Sequence, residues 1–441
     1  MPKRCLAILG ILTALLWLGA APAPARAEAP LPRFEPAACR FAMPAGERME
    51  CGYLVVPENR AAPHGRAIRV SVTLVKSHSA APAPDPIIYL NGGPGGRSKE
   101  IIAQLRQYEA WLARRDLILF DQRGVGWSQP ALDCPELKSV WLQEATGAKL
   151  TREARLAPAL TCRERWLKQG LDLSAYNSTE TAADVADLGQ VLGYEQVNLF
   201  GISYGTLPAQ LVMRNHGATG QIRSVILDSP LPLAVPVEAE TPARLAAAMA
   251  QLFDQCQAEL LCRAAYPDLE KIYPQLIERL SRAPATLSAT DPLTGRPFSF
   301  QFKAADLGGL LIYGRYRTFP GLIYDLDEGD YTAAIEAQEW FIRNINRAGG
   351  DNFGLRTTIR CNEPWHAISA EQRAAMSGYL EAVFMTDPPD TAPCEIWPAA
   401  PPADMTPAGG DIPTLILAGE YDLRLAPYGP TIAATLRHGF H

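Results

Sequence analysis

The chain has 441 residues, 48% of them hydrophobic and 20% charged, with a formal net charge of −6. That length is enough to bury a large core in about two or three domains. A net acidic chain without basic clusters argues against nucleic acid or anionic membranes as partners, and no paired-cysteine or His-Glu-x-x-His spacing marks a zinc site.

The N-terminus opens with Lys3 and Arg4, continues as an apolar run from Leu6 to Ala20, and ends in Ala25-Arg26-Ala27. This is the pattern of a secretory signal peptide over residues 1–27, cleaved after Ala27. The run is too short to span a bilayer comfortably, so no membrane association is expected after cleavage. The expected location is secreted or periplasmic. Loss of Lys3, Arg4 and Arg26 takes the net charge to about −9.

Beyond Cys5 the chain holds eight cysteines, an even number suited to disulfides in an exported protein. They fall in local pairs: Cys39 with Cys51, Cys134 with Cys162, Cys256 with Cys262, and Cys361 with Cys394. Proximity alone does not fix connectivity, but the local scheme is the one expected.

A Pro/Ala-rich lead runs to about Pro36. Gly52–Pro57 and Ala67–Val75 then have the pattern of an antiparallel edge hairpin, the second alternating apolar and polar residues. Ile87–Leu90 and Asp116–Phe120 are predicted as short buried strands, followed by Asn91-Gly92-Gly93-Pro94-Gly95-Gly96 and Asp121-Gln122-Arg123-Gly124. A polar, helix-rich excursion covers roughly 134–170. The next helix is predicted from Thr181, with Asp184 completing a capping box, to Leu192.

Val197–Phe200 then runs as a buried strand into Gly201-Ile202-Ser203-Tyr204-Gly205 and a helix. Strand, Gly-x-Ser-x-Gly, helix is the context in which a serine is held on a sharp turn as a nucleophile. The glycines are needed because a β-carbon there would meet the neighbouring strand or helix. Pro208 sits in the first turn, where no N–H is required of it. Ser224–Asp228 is one more buried strand. From about 236 to 410 the strand–helix rhythm gives way to a largely helical insertion, including 243–256, 269–280, 304–313 and 331–347. The sheet resumes at Pro413–Asp422. The predicted fold is therefore α/β, a mostly parallel sheet covered on both faces. Its core occupies 28–235 and 411–441, and a helical lid occupies 236–410.

The loops after such strands gather the functional groups. Ser203 is the candidate nucleophile. The N–H of Tyr204, and one from Gly92 or Gly93, are candidates for an oxyanion hole. Asp422 suits the chain order Ser…Asp…His, with Asp228 the second choice. Asp121 and Arg123 are expected to form a buried ion pair that fixes their loop.

The combination Asn-Gly-Gly-Pro-Gly-Gly, Asp-Gln-Arg-Gly-x-Gly-x-Ser, Gly-Ile-Ser-Tyr-Gly-Thr and a late Gly-x-x-Asp resembles the α/β-hydrolase peptidases related to proline iminopeptidase and tripeptidyl aminopeptidase. The resemblance implies an α/β-hydrolase fold and an exported serine aminopeptidase needing no metal or cofactor. It implies peptide substrates with a free N-terminus, from which proline or a short peptide is released through an acyl-enzyme. It further implies Ser203 as nucleophile, Asp422 as the residue orienting a histidine, Tyr204 with Gly92 or Gly93 as oxyanion donors, and Glu363 as an anchor for the substrate amine. A carboxylesterase on the same scaffold and a non-catalytic binding protein are the rival readings.

Two departures stand out. Asn91 occupies a position where many relatives carry histidine. The six histidines are His64, His78, His216, His366, His438 and His441, and only the last two follow Asp422. The family places its histidine in a Gly-His loop beyond one further strand. Residues 430–436 are predicted as the helix before that strand, so the sequence is expected to be truncated ahead of its catalytic histidine.

Overall fold

The computed structural model describes residues 30–363, 368–385, 392–397, 404–422 and 424–441. The expected signal peptide and His366 lie outside the described residues. The strands are β1 (Arg33–Ala37), β2 (Met49–Pro57), β3 (Ala67–Val75), β4 (Ile87–Leu90), β5 (Leu117–Phe120), β6 (Val197–Ile202), β7 (Ile222–Asp228), β8 (Ala285–Thr290), β9 (Pro297–Phe302), β10 (Thr414–Leu417) and β11 (Gly439–Phe440).

Nine of these form one sheet in the order β1-β2-β3-β5-β4-β6-β7-β10-β11. From β1 to β5 neighbours are antiparallel, and from β5 to β11 they are parallel. The central parallel strands are covered on both faces, so they carry continuous apolar runs; all four residues of β5 are buried. At β10 the burial alternates, and Leu415 and Leu417 are exposed. The chain leaves β4 toward β5 and then crosses back to β6, so β4 and β6 lie side by side with their following loops heading in opposite directions. That divergence is the topological switch point, where an open α/β sheet forms a crevice.

The end of the Pro/Ala-rich lead forms a strand that the sequence pattern did not mark: Arg33–Ala37 pairs along its whole length with Cys51–Val55 as the outer strand. The helix before β6 begins a turn earlier than Thr181. It runs Ser178–Val191, capped by the Asn177 side chain, which accepts the Glu180 N–H. Asp184 is thereby freed from capping.

That freedom explains a second difference. Asp121 and Arg123 do not pair with each other. Arg123 is fully buried and grips Asp184 with two hydrogen bonds of 2.8 and 2.7 Å. Its remaining N–H groups donate to the carbonyls of Glu58 and Ala175. Arg60 joins the same carboxylate at 2.8 Å and also pairs with Asp187 and Glu180. Asp121 instead accepts backbone N–H groups from Ser98 at 2.6 Å and Trp127 at 2.8 Å. Burial pushes its carboxyl above the usual range. It clamps the glycine-rich loop after β4 to the loop after β5.

The sheet core and the insertion have separate apolar clusters. The first runs from Leu54 through Leu90, Leu199 and Tyr204 to Leu436. The second is built from Leu245, Met249, Leu276, Ile277, Leu307, Phe319, Ile323 and their neighbours. The insertion is not wholly helical, since β8 and β9 form an antiparallel hairpin within it. Its helix Phe353–Asn362 returns to the sheet-side core, where Phe353 and Trp397 pack against one another and Trp166. Cys39–Cys51, Cys134–Cys162, Cys256–Cys262 and Cys361–Cys394 are joined as disulfides.

Replacing Asp184 with Ala removes both short side-chain bonds of the fully buried Arg123, which keeps only Glu180 at 3.3 Å as a charged partner, whereas Arg60 retains Asp187 and Glu180. We expect Asp184→Ala to destabilise the protein by about 3–5 kcal/mol in chemical denaturation. A loss below about 1 kcal/mol, the range of an exposed pair, would contradict this role.

Candidate active site

Ser203 sits at the end of β6 with a backbone φ of 53°, in the left-handed region. A serine there costs on the order of 1–3 kcal/mol and persists only where packing holds it. The packing is explicit. A β-carbon on Gly201 would lie 2.7 Å from the Gly205 carbonyl oxygen and 3.1 Å from Thr206 Cα. One on Gly205 would lie 2.0 Å from the Leu90 carbonyl oxygen of β4. The turn therefore fits only if both flanking residues lack side chains. Thr206, opening the helix Thr206–His216, donates from Oγ1 to the Ser203 carbonyl at 2.6 Å and accepts the Leu231 N–H at 3.0 Å. This ties the elbow to the loop after β7.

The glycine-rich loop after β4 passes directly over the serine. A β-carbon on Gly92 would lie 3.1 Å from Ser203 Cβ. The two candidate N–H groups of this loop differ. Gly92 donates its N–H to Asn91 Oδ1 at 2.8 Å. Among the described residues the Gly93 N–H has no such partner. Tyr204 lies in the first helical turn, where N–H groups have no partner within the helix. Asn91 thus has a definite task in place of histidine. Its side chain spans the loop from the Gly92 N–H to the Arg97 carbonyl, and its own carbonyl accepts from Gln122 Nε2 at 3.0 Å.

Two carboxylates lie on the far side of β6 from that loop. Asp228 ends β7 directly opposite Ile202 and accepts from the Ser229 hydroxyl. Asp422 follows β10, and its Oδ1 accepts the N–H groups of Arg424 and Leu425, both at 3.0 Å. These two bonds fix the carboxylate plane and leave Oδ2 for another donor. Among the described residues no histidine ring reaches Ser203 or Asp422. His78 pairs with Glu47 and Glu109, and His216 ends the helix after the elbow. His438 lends its carbonyl to Thr414, and the His441 ring packs on Gly429.

The Tyr204 side chain turns away from the cleft and is fully buried. Its hydroxyl lies 2.8 Å from Ser178 Oγ. Ser178 in turn donates its N–H and its hydroxyl to the two oxygens of Glu363, each at 2.8 Å. Glu363 is only 3% exposed, at the end of the helix Phe353–Asn362 beside the Cys361–Cys394 disulfide. Burial and the Glu363 charge push the Tyr204 phenol well above its ordinary value. Ser178 is the link that sequence reasoning passed over; its signal was Asn177 as a cap, which moves the helix start to Ser178.

Beside Asp422 lies a cavity of about 410 Å³ between the helix Val237–Ala258 and the loop after β10. Glu240, Glu420 and Asp422 line it, with Arg244 as the cation and Tyr316 stacked on Tyr421. Arg244 is engaged by Glu240 and lies over the Tyr428 ring at 4.0 Å.

The family model described as "alpha/beta hydrolase fold" matches residues 85–261. This chain has the α/β-hydrolase fold. It resembles serine peptidases and aminopeptidases. A tripeptidyl aminopeptidase of Streptomyces lividans is 29% identical over 198 residues, 43% of this chain and 36% of that protein. The match thus spans about a third of that relative's length. The serine protease Hip1 of Mycobacterium tuberculosis is 23% identical over 420 residues, covering 88% of this chain and 79% of its own. Among solved structures, a proline iminopeptidase-related protein of Thermus thermophilus is similar with a TM-score of 0.35 at 18% identity, over 89% of this chain and 88% of its own.

The contact at Gly205 makes a specific prediction. Gly205→Ala sets a methyl against the β4 backbone, which cannot yield as a side chain would. We expect a loss of about 3 kcal/mol or more, or insoluble protein. In contrast, Gly309→Ala, at an exposed helical position with nothing within 4 Å, should be neutral or stabilising by about 1 kcal/mol. Equal thermal midpoints for the two variants would contradict the packing described for the elbow.

Proposed function

We propose that the full-length protein is an exported serine aminopeptidase that releases an N-terminal proline or a short peptide, such as a tripeptide, through an acyl-enzyme at Ser203. The observation that carries this reading is the left-handed Ser203 beneath the glycine loop, against Gly92, with the following Gly93 N–H unpaired among the described residues. In this reading a histidine oriented by Asp422 Oδ2 takes the Ser203 proton as Oγ attacks the peptide carbonyl. The Tyr204 and Gly93 N–H groups receive the developing oxyanion. The histidine then returns the proton to the leaving amine, and water hydrolyses the ester. No metal or cofactor is required. The leader pattern and four disulfides support a secreted or periplasmic location.

An exopeptidase of this kind must hold a protonated amine near the nucleophile. Glu363 is the candidate named by resemblance, but both its oxygens already serve Ser178. Glu420, exposed on the wall of the cavity beside Asp422, is the alternative that the geometry favours. The two are separable by experiment. Glu420→Gln should raise KM for free-amine peptides about tenfold with kcat little changed, as expected for the loss of one charged contact. Were Glu363→Gln to show that KM effect instead, the resemblance would have named the anchor correctly.

The wider claim is tested by comparing a tripeptidyl amide bearing a free amine with its N-acetylated twin and a simple ester. We expect the free-amine peptide to be turned over about tenfold faster or more, the worth of one charged contact. Equal or better turnover of the acetylated peptide sinks the exopeptidase reading. Turnover of the ester alone indicates a carboxylesterase.

A further inference from the structure

The cleft has a second cavity, on the opposite flank of the nucleophile from Asp422. It measures about 650 Å³ and opens from Gly93–Gly96 onto the segment where the helix Thr332–Ala348 gives way to Phe353–Asn362. Strand order places it there unambiguously. The loop after β4 lies on one side of β6, whereas the loop after β10, with Asp422, lies on the other, beyond β7.

The charge on its walls is unbalanced. Arg97, Lys99, Arg347 and Arg356 face Glu100 and Asp351. Arg97 is already paired with Asp351, and Glu100 is turned to the Arg97 N–H at the start of the helix Ser98–Ile102. Lys99 and Arg347 are both exposed and form no salt bridge among the described residues; Arg347 donates only to the Asn344 side chain. The cavity on the other flank has the opposite imbalance, with Glu420 and Asp422 left over once Arg244 is engaged by Glu240. A substrate lying across Ser203 therefore meets acid on one side and base on the other.

We propose that the cavity lined by Lys99 and Arg347 is a carboxylate subsite, which receives the anionic end of the peptide segment leaving Ser203. The inference rests on the aminopeptidase reading and adds direction to it. The amine of the substrate lies toward Glu420, the scissile carbonyl under Gly93, and the carboxylate of the departing segment against Lys99 and Arg347. Two cations on flexible stems, near the mouth of a solvent-filled cavity, suit a carboxylate that must bind and then leave. They also favour short peptides, in which the terminal carboxylate is within reach of the scissile bond. The same walls accept an acidic side chain on the leaving segment.

Binding to the full-length Ser203→Ala protein tests this without relying on turnover. Tetraalanine with a free C-terminal carboxylate should bind about tenfold tighter than tetraalanine amide, the worth of a charge-assisted contact. The difference should vanish in Lys99→Glu/Arg347→Glu and survive in Arg282→Glu/Arg343→Glu, which makes the same change of charge outside the cavity. A tetrapeptide amide with Asp at its fourth position distinguishes the sources: recovery of affinity assigns a side-chain carboxylate, and no recovery assigns the terminal one. Equal affinity of acid and amide, or a preference that both double variants share, overturns the proposal. The aminopeptidase reading is judged separately, by wild-type turnover of tetraalanine amide. A protein that binds the acid selectively and cleaves neither peptide would keep the subsite and lose the peptidase.

Discussion

Ser203 holds a backbone conformation that an L-residue avoids, and every element around it is arranged so that no other conformation fits. Gly205 lies so close to β4 that a single methyl would push the two central strands apart. Gly201 meets the first turn of the following helix in the same way. The nucleophile strand, the glycine loop and the helix after the elbow are thus mutually fixed at van der Waals contact. The Ser203 backbone is thereby held in one conformation. A fixed backbone of this kind suits the proposed attack of Ser203 on a carbonyl held by oxyanion donors.

The parts that carry charge hold this arrangement from behind. Arg123, Asp184 and Arg60 bind the loop after β5 to the helix before β6. Asp121 binds that same loop to the one after β4, through the Ser98 and Trp127 N–H groups. On the other side, Glu363 reaches the buried phenol of Tyr204 through Ser178. Tyr204, the residue after Ser203, is therefore anchored to the end of the helix Phe353–Asn362. Movement of that helix has a direct route to Tyr204, the proposed oxyanion donor.

Much of this was legible in the sequence because local pattern determined it. The apolar runs gave β4, β5, β6 and β7, and the glycines bracketing Ser203 implied the tight turn. Local spacing suggested the cysteine partners. What the sequence hid was decided at long range. Arg123 was two residues from one carboxylate and sixty-one from another, and chose the distant one because the helix start at Asn177 released Asp184. Arg33–Ala37 contains a proline and lies in a Pro/Ala-rich lead, yet pairs as an edge strand, where a missing N–H costs little. The β8–β9 hairpin was lost in a helical background. Of Gly92 and Gly93, it is the Gly92 N–H that Asn91 consumes, a choice set by the loop's three-dimensional path.

The central claim is that Ser203 is an activated nucleophile, oriented through Asp422. Its most direct measurement is the rate at which a fluorophosphonate labels Ser203 in the full-length protein, with the site located by peptide mass mapping, in the wild type and in Asp422→Asn. The account predicts rapid labelling at Ser203 and a rate about a thousandfold or more lower in the variant, in line with loss of a triad carboxylate. No labelling of the wild type, or an equal rate in both proteins, would contradict it and favour a binding protein on a hydrolase scaffold.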